Sequence, residues 1–236
     1  MPYRSRVLNS LHDRFHRDRA ALFVELLAPL PGATLLDLGG GSGSLASKIN
    51  DLCPIRVTVA DISDDHRAAA ERRGFQHQVI TPNAPLPFGD QAFDFVLCNS
   101  VIEHVTLPKE RCGPSTSLPR RTWHTESRRA QKAFCAELMR VGRGFFVQTP
   151  HKHFPIDQHV WLPFVQYLSH RATARLVAFT DRWWIKKCGV ADWELLTPRE
   201  LRDMLPGCHI RVETLLGMPK SIVAFRCVRE LGSIGV

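Results

Sequence analysis

The chain has 236 residues, 44% of them hydrophobic, a formal net charge of +8, and neither an internal repeat nor a long low-complexity run. This predicts one soluble domain with a sizeable core; no apolar stretch reaches the roughly 20 residues that span a bilayer, and the N-terminus lacks the apolar core of a signal peptide, so a cytoplasmic location is expected. The basic excess suits an acidic partner or a solvated face, and the seven cysteines, with no C-x-x-C pair, speak against a disulfide scaffold or zinc ribbon.

In chain order, residues 4–27 set Val7, Leu11, Phe15, Leu22, Phe23, Leu26 and Leu27 at helical spacing, with Arg4, Arg6, Arg14, Arg17 and Arg19 between them. Pro29, Pro31 and Gly32 end this helix. Leu35, Leu36 and Leu38 then form an apolar run suited to a buried parallel strand, followed by Gly39, Gly40, Gly41 and Gly43, which allow a sharp turn and close approach of a ligand. Residues 44–52 read as a helix opening on that ligand. Glycine loops of this kind also seat the pyrophosphate of dinucleotides, although the spacing here is not G-x-G-x-x-G. Residues 55–60 are a second strand ending at Asp61, about 20 residues past the glycines, where a carboxylate can accept from ribose hydroxyls. A helix over 64–73, closed by Gly74, and a third strand over 75–80 continue the β-α-β alternation.

Residues 93–98 form the fourth strand, delivering Asn99 and Ser100 to its carboxyl end, where open α/β sheets bind ligands. Glu103 and His104 follow on a short helix. Residues 107–123, rich in proline, serine and arginine, read as a loop, 126–140 as a helix and 144–148 as the fifth strand, which delivers Thr149 and Pro150. The next loop holds His151, His153, Asp157 and His159 at a spacing that matches no standard zinc pattern, so no metal is expected. Residues 162–190 mix Phe164, Tyr167, Trp183 and Trp184 with Arg171, Arg175, Arg182, Lys186 and Lys187 and read as one or two cap helices. Thr197, Pro198 and Glu200 spell a capping box and first-turn proline for the last helix, and residues 208–228 a strand, a tight turn over 217–219 and a strand.

The run Asp37-x-Gly39-x-Gly41-x-Gly43, the acidic end of the second strand, and the segment NAPLPFGDQAFDFVLCNSVIEHV over 83–105 together resemble class I S-adenosylmethionine-dependent methyltransferases. The resemblance covers 34–228. It departs at Asn83, where the family has an aspartate, and by one residue missing before Leu86; TPHKHFPIDQH resembles T-P-N-x-x-F-P-x-E-x-H of one branch, with His151 for asparagine and Asp157 for glutamate. What it implies is an α/β, Rossmann-like, mostly parallel seven-stranded sheet in the order 3-2-1-4-5-7-6, helices on both faces and a helical cap, as one domain over 1–236. Within it, 1–30 is a basic helix, 34–160 the cofactor-binding core, 161–192 the cap and 197–228 the last helix and hairpin. It further implies S-adenosyl-L-methionine held by Asp37, Gly39, Gly40, Gly41, Gly43, Asp61, Ile62, Asn83, Ala84, Asn99, Ser100 and His104.

Methyl transfer from a sulfonium needs alignment and exclusion of water, plus a base when the acceptor is a hydroxyl or a protonated amine. His159, matching F-P-x-E-x-H, is the expected base, with Asp157 or a carbonyl orienting its ring and His153 in reserve. The cap and the N-terminal arginines are expected to select an acceptor with an apolar or ring part and a negative group. Without a D-P-P-Y, N-P-P-Y or P-C nucleophile motif, an O or N acceptor on a small molecule, saccharide or lipid-linked metabolite is favoured over RNA. A catalytically silent S-adenosylmethionine-binding module and an NAD-dependent oxidoreductase are the alternatives.

Overall fold

Leu35, Leu36 and Leu38 are fully buried on β1 (Thr34–Leu38), and Asp37 is buried among them. A strand apolar on both faces belongs inside a parallel sheet. In this computed structural model, which describes residues 2–116, 118–184 and 187–228 and, of 2–12, the backbone alone, β1 runs parallel to β2 (Arg56–Asp61) and to β4 (Phe93–Asn99). β3 (Gln76–Val79) pairs parallel with β2. With β5 (Gly142–Pro150), β6 (His209–Leu215) and β7 (Met218–Arg226), the strands form one sheet in the expected order, β3-β2-β1-β4-β5-β7-β6.

The chain divides into two compact units, one built of residues up to Asn99, Glu137–Val147 and those from Phe225 on, the other of Ser100–Ala136 and Gln148–Ala224. In the first, α1 (Pro2–Leu27) buries Phe23 against Phe95 and Phe146, with ring centroids 6.0 and 5.6 Å away. α2 (Ser44–Leu52) buries Leu45, Ala46 and Ile49. The register of β1 on β4 is pinned by Asp94, whose Oδ2 accepts from the Thr34 amide and hydroxyl at 2.9 and 2.8 Å while its own N–H donates to Thr34 Oγ1 at 2.9 Å. α3 (Arg67–Glu71) starts later than the sequence suggests, because Ser63 and Asp64 hold a local turn ahead of it, and β3 is one residue shorter at each end.

In the second unit, α4 (Arg120–Val141) begins at Arg120, not at residue 126, so the loop expected over 107–123 is cut short and also holds a 3₁₀ turn, Lys109–Arg111. Its buried stripe is Trp123, Ser127, Gln131 and Cys135 at four-residue steps, with two polar members that hide the helical period. Gln131 is satisfied there by donating to the Ile102 and Glu194 carbonyls, 3.0 Å each. The expected cap contains a 3₁₀ turn, Val165–Tyr167, and one helix, α5 (His170–Thr180), packed in a cluster with Val160, Val165, Ala174, Val177, Trp193 and Leu195. Lys186 and the side chains of Arg4, Arg6, Val7 and Leu11 lie outside the described residues. The β6–β7 turn is only Leu216 and Gly217, both at positive φ (52° and 77°), the geometry of a two-residue hairpin, and Met218 and Pro219 already belong to β7.

α6 (Pro198–Met204) carries the capping box in full: the Thr197 hydroxyl accepts from the Glu200 amide at 3.3 Å, and Glu200 Oε2 accepts from the Thr197 amide at 2.8 Å. Thr197→Ala should lower the unfolding free energy by about 1 kcal/mol. Urea denaturation checks this, and an unchanged midpoint would show that the box contributes nothing.

Candidate functional site

Within the first unit, β1 ends in a loop whose Gly39, Gly41 and Gly43 have φ of 75°, 54° and 71°, a left-handed region that side chains disfavour. Gly40 is fixed by space: a Cβ there would lie 2.3 Å from Asp37 Cγ. Asp37 Oδ2 is buried with no hydrogen-bond partner. Burial, with the charge of Asp61 adding to it, pushes this carboxyl up to about 7. Asp61 tethers the loop, its Oδ2 accepting from Gly41 N–H at 2.9 Å and its Oδ1 from Ser63 N–H at 3.1 Å, which leaves lone pairs on both oxygens. Ile62 beside it is 55% exposed. Asn83, at φ 59°, and Ala84 sit on a turn closed by the Ala84 amide to the Thr81 carbonyl at 3.3 Å, with Asn83 exposed. Asn99 ends β4 with its Oδ1 buried and unpartnered.

Within the second unit, Ser100 is joined to Gln148 by its amide, 2.9 Å to the carbonyl, and by its hydroxyl, 2.8 Å to Oε1. The 3₁₀ turn Ile102–His104 then places Glu103 in the interior, where Thr149 Oγ1 donates to its Oε2 at 2.9 Å. Burial pushes the Glu103 carboxyl up, partly offset by His104 and His159. Both histidines meet a carboxylate through Nδ1, His104 with Asp192 at 2.9 Å and His159 with Asp157 at 3.2 Å. Ionised carboxylates only accept, so Nδ1 carries the proton and Nε2 remains for another partner. Burial disfavours a charged His104, but the Asp192 hydrogen bond and the Glu103 charge outweigh it and hold its pKa up. The rings of His104 and His159 meet edge to face, 5.0 Å between centroids.

Asp157, expected to orient His159, does so by several contacts. Its Oδ1 also accepts from the His159 amide at 2.8 Å, and its Oδ2 from Trp193 Nε1 at 3.1 Å. Desolvation opposes its charge, but the bonds to His159 prevail and hold the carboxyl below its usual range. Trp193 stacks on His159 with centroids 4.5 Å apart. His153 stands outside this group, exposed, with Nδ1 3.0 Å from the Tyr167 hydroxyl, while His151 Nδ1 accepts the His153 amide at 3.0 Å. Asp192 and Trp193 were not singled out in the sequence; they stand at the end of the expected cap and just after it, with no motif around them. Trp193 also lines a cavity of about 430 Å³ with Arg120, Arg121, Trp123, Lys152 and Leu168.

A family model described as a methyltransferase domain matches residues 36–112. The ubiquinone biosynthesis O-methyltransferase of Caulobacter vibrioides is 30% identical over 212 residues, 87% of this chain and 68% of that protein. The ubiquinone/menaquinone biosynthesis C-methyltransferase UbiE of Paracoccus denitrificans is 34% identical over 99 residues, 39% of this chain and 40% of that protein. Among solved structures, a candidate O-methyltransferase of Nostoc punctiforme shares the fold, with a TM-score of 0.55 at 12% identity over 94% of this chain and 58% of that one. The chain belongs to the class I S-adenosylmethionine-dependent methyltransferases. It is an enzyme whose cofactor is S-adenosylmethionine, which sets aside the silent-module and nicotinamide readings. The first unit fits this cofactor in two respects: the orphaned Asp37 oxygen is a ready acceptor for an ammonium group, and the side-chain-free loop is a cradle that a Cβ would fill.

Three outcomes are expected here. Asp61→Ala should weaken S-adenosylmethionine binding about ten- to a hundredfold, the worth of charge-assisted hydrogen bonds, and Gly41→Val should abolish it; calorimetry on folded variants checks both, and unchanged affinity would remove the residue from the site. Because the folded pKa of Asp37 lies above its unbound value of 3.8 at about 7, the folded cofactor-free chain binds the extra proton between these limits, so its contribution to stability falls as pH rises from about 4 to about 7. Asp37→Asn should flatten that slope in urea titrations across this range.

Proposed function

We infer that this methyltransferase acts on a hydroxyl of a small molecule, saccharide or lipid-linked metabolite that carries an apolar or ring portion and a negative group. The observation that carries the reading is the pair of imidazoles beside Glu103, each held at Nδ1 by its own carboxylate with Nε2 left over. An alcohol or phenol is a poor nucleophile until its proton is withdrawn, and a nitrogen lone pair fixed in orientation serves that step. The cavity lined by Trp123 and Trp193 with Arg120, Arg121 and Lys152 supports a planar, anionic acceptor, since aromatic faces take the ring and the cations its charge. The Caulobacter relative, an O-methyltransferase matched over most of its length, supports oxygen over carbon.

In this reading S-adenosylmethionine supplies a methyl group already activated on a sulfonium. The loop 39–43 and Asp61 hold it, and Asp37 takes its ammonium group. Removal of the acceptor's proton turns on His159, with Asp157 holding its tautomer and Trp193 its ring plane. His104 and its partner Asp192 form the second half of the same device.

His159→Ala should leave S-adenosylmethionine affinity unchanged and cut turnover of a hydroxylated aromatic acid about a hundred- to ten-thousandfold. A panel of phenols, amines and activated carbons, with the methylated product located by NMR, checks the acceptor atom. Full turnover by the variant, or a methyl found on carbon, would overturn the reading.

A further inference from the structure

We propose that Glu103, His104 and His159 bind a divalent transition-series cation, one per chain, with an open coordination position for the acceptor's oxygen. The proposal rests on the reading that a hydroxyl acceptor is activated at this group. Each of the three offers a ligand atom, and these atoms all lie within 4.8 Å of one another. Two imidazole nitrogens and one carboxylate oxygen suit zinc, manganese, cobalt or ferrous iron better than calcium or magnesium, which prefer all-oxygen shells. Three protein ligands with a vacancy is also the composition of catalytic rather than structural sites.

The surroundings carry the inference further than the donor set alone. Metal-bound histidines usually donate their second ring N–H to a carboxylate, which fixes the tautomer and aims the lone pair; here both do so, to Asp192 and Asp157. Glu103 is only 1% exposed, Thr149 holds one of its oxygens, and among the described residues no lysine or arginine ion pair reaches it. A carboxylate so enclosed is costly unless a positive charge compensates it, and a cation shared with one ring nitrogen of His104 and one of His159 does that at once. Trp193 restrains the His159 ring by stacking. A single base needs one oriented histidine; the second histidine with its own carboxylate, and the buried glutamate, are explained by coordination. Ligands at about 2.1 Å around a tetrahedral ion stand about 3.4 Å apart, so binding draws the three atoms inward by small side-chain rotations.

The chemistry balances without a further reagent. The acceptor's oxygen enters the open position and the cation lowers its pKa, as it does for bound water. The hydroxyl proton leaves to solvent, the oxygen forms its bond to the methyl carbon, and the electron pair of the breaking carbon–sulfur bond stays on sulfur, leaving a neutral thioether. His159 then acts as a ligand, which equally makes turnover depend on it.

The test uses the full chain stripped of metal by a chelator, titrated by calorimetry with Zn²⁺, Mn²⁺ and Co²⁺ in the absence of cofactor and acceptor, with the visible spectrum of the Co²⁺ form recorded. One ion per chain should bind. His104→Ala and Glu103→Gln should weaken it at least about a hundredfold, and Asp192→Asn about ten- to a hundredfold; circular dichroism confirms folding, and the half-exposed His104 serves if the buried Glu103 variant fails to fold. No binding at millimolar ion, or binding indifferent to all three variants, overturns the site. If the chelated enzyme keeps full turnover while His159→Ala loses it, the cation proposal fails and direct proton abstraction by His159 stands. If a cation binds as described but His159→Ala turns over normally, the activation reading fails and the cation site remains.

Discussion

A carboxyl group buried at the end of an apolar strand is the constraint on which the cofactor half of this enzyme depends. β1 must be apolar on both faces to lie between β2 and β4, yet its fourth residue is Asp37, with one oxygen left unpartnered. Buried there beside the charge of Asp61, the group rises toward neutrality in the cofactor-free chain. The same carboxyl excludes any side chain from Gly40, and Gly39 and Gly41 on either side of it are left-handed. The glycines and the acid are therefore one device.

The second unit repeats the principle with different partners. Glu103 is as deeply buried as Asp37, but its neighbours are a threonine hydroxyl and two histidines whose outer nitrogens are each held by an aspartate. Among the described residues no cationic side chain offsets the burial of Asp37, and Asp61 pushes it up further, whereas Glu103 sits beside two imidazoles, which stabilise a negative group when they are protonated or when they share a metal ion with it. The identity of the neighbours decides which compensation each acid receives.

Most of the fold was legible in the sequence because its signals are local. Leu35 to Leu38, the β-branched run before Asp61 and the Thr197–Glu200 box each specify their element within a few residues. The start of α4 was not, because Ser127 and Gln131 occupy its buried face, and a polar residue is readable as interior only once its partners, the carbonyls of Ile102 and Glu194, are in place. The site divided along the same line. His159 and Asp157 are two residues apart and were paired in advance, whereas His104 and Asp192 are 88 apart and Asp157 and Trp193 are 36 apart, and no periodicity links residues at such separations.

One departure from the family pattern gains a physical reason from this geometry. Asp157 stands where the related branch has glutamate, and the shorter side chain is the one that bonds its own backbone two and three residues on. Its Oδ1 accepts from the His159 and Val160 amides at 2.8 and 3.3 Å as well as from the His159 ring. The local turn thus closes on the same oxygen that sets the imidazole's tautomer, while Oδ2 is left to Trp193. A glutamate, one methylene longer, carries its oxygens beyond that short turn and must fix the histidine from elsewhere. Aspartate ties backbone, imidazole and indole to a single fully buried carboxylate, so the orientation of His159 is set by the four-residue turn from Asp157 to Val160 and by one tryptophan, and is in place before any substrate arrives.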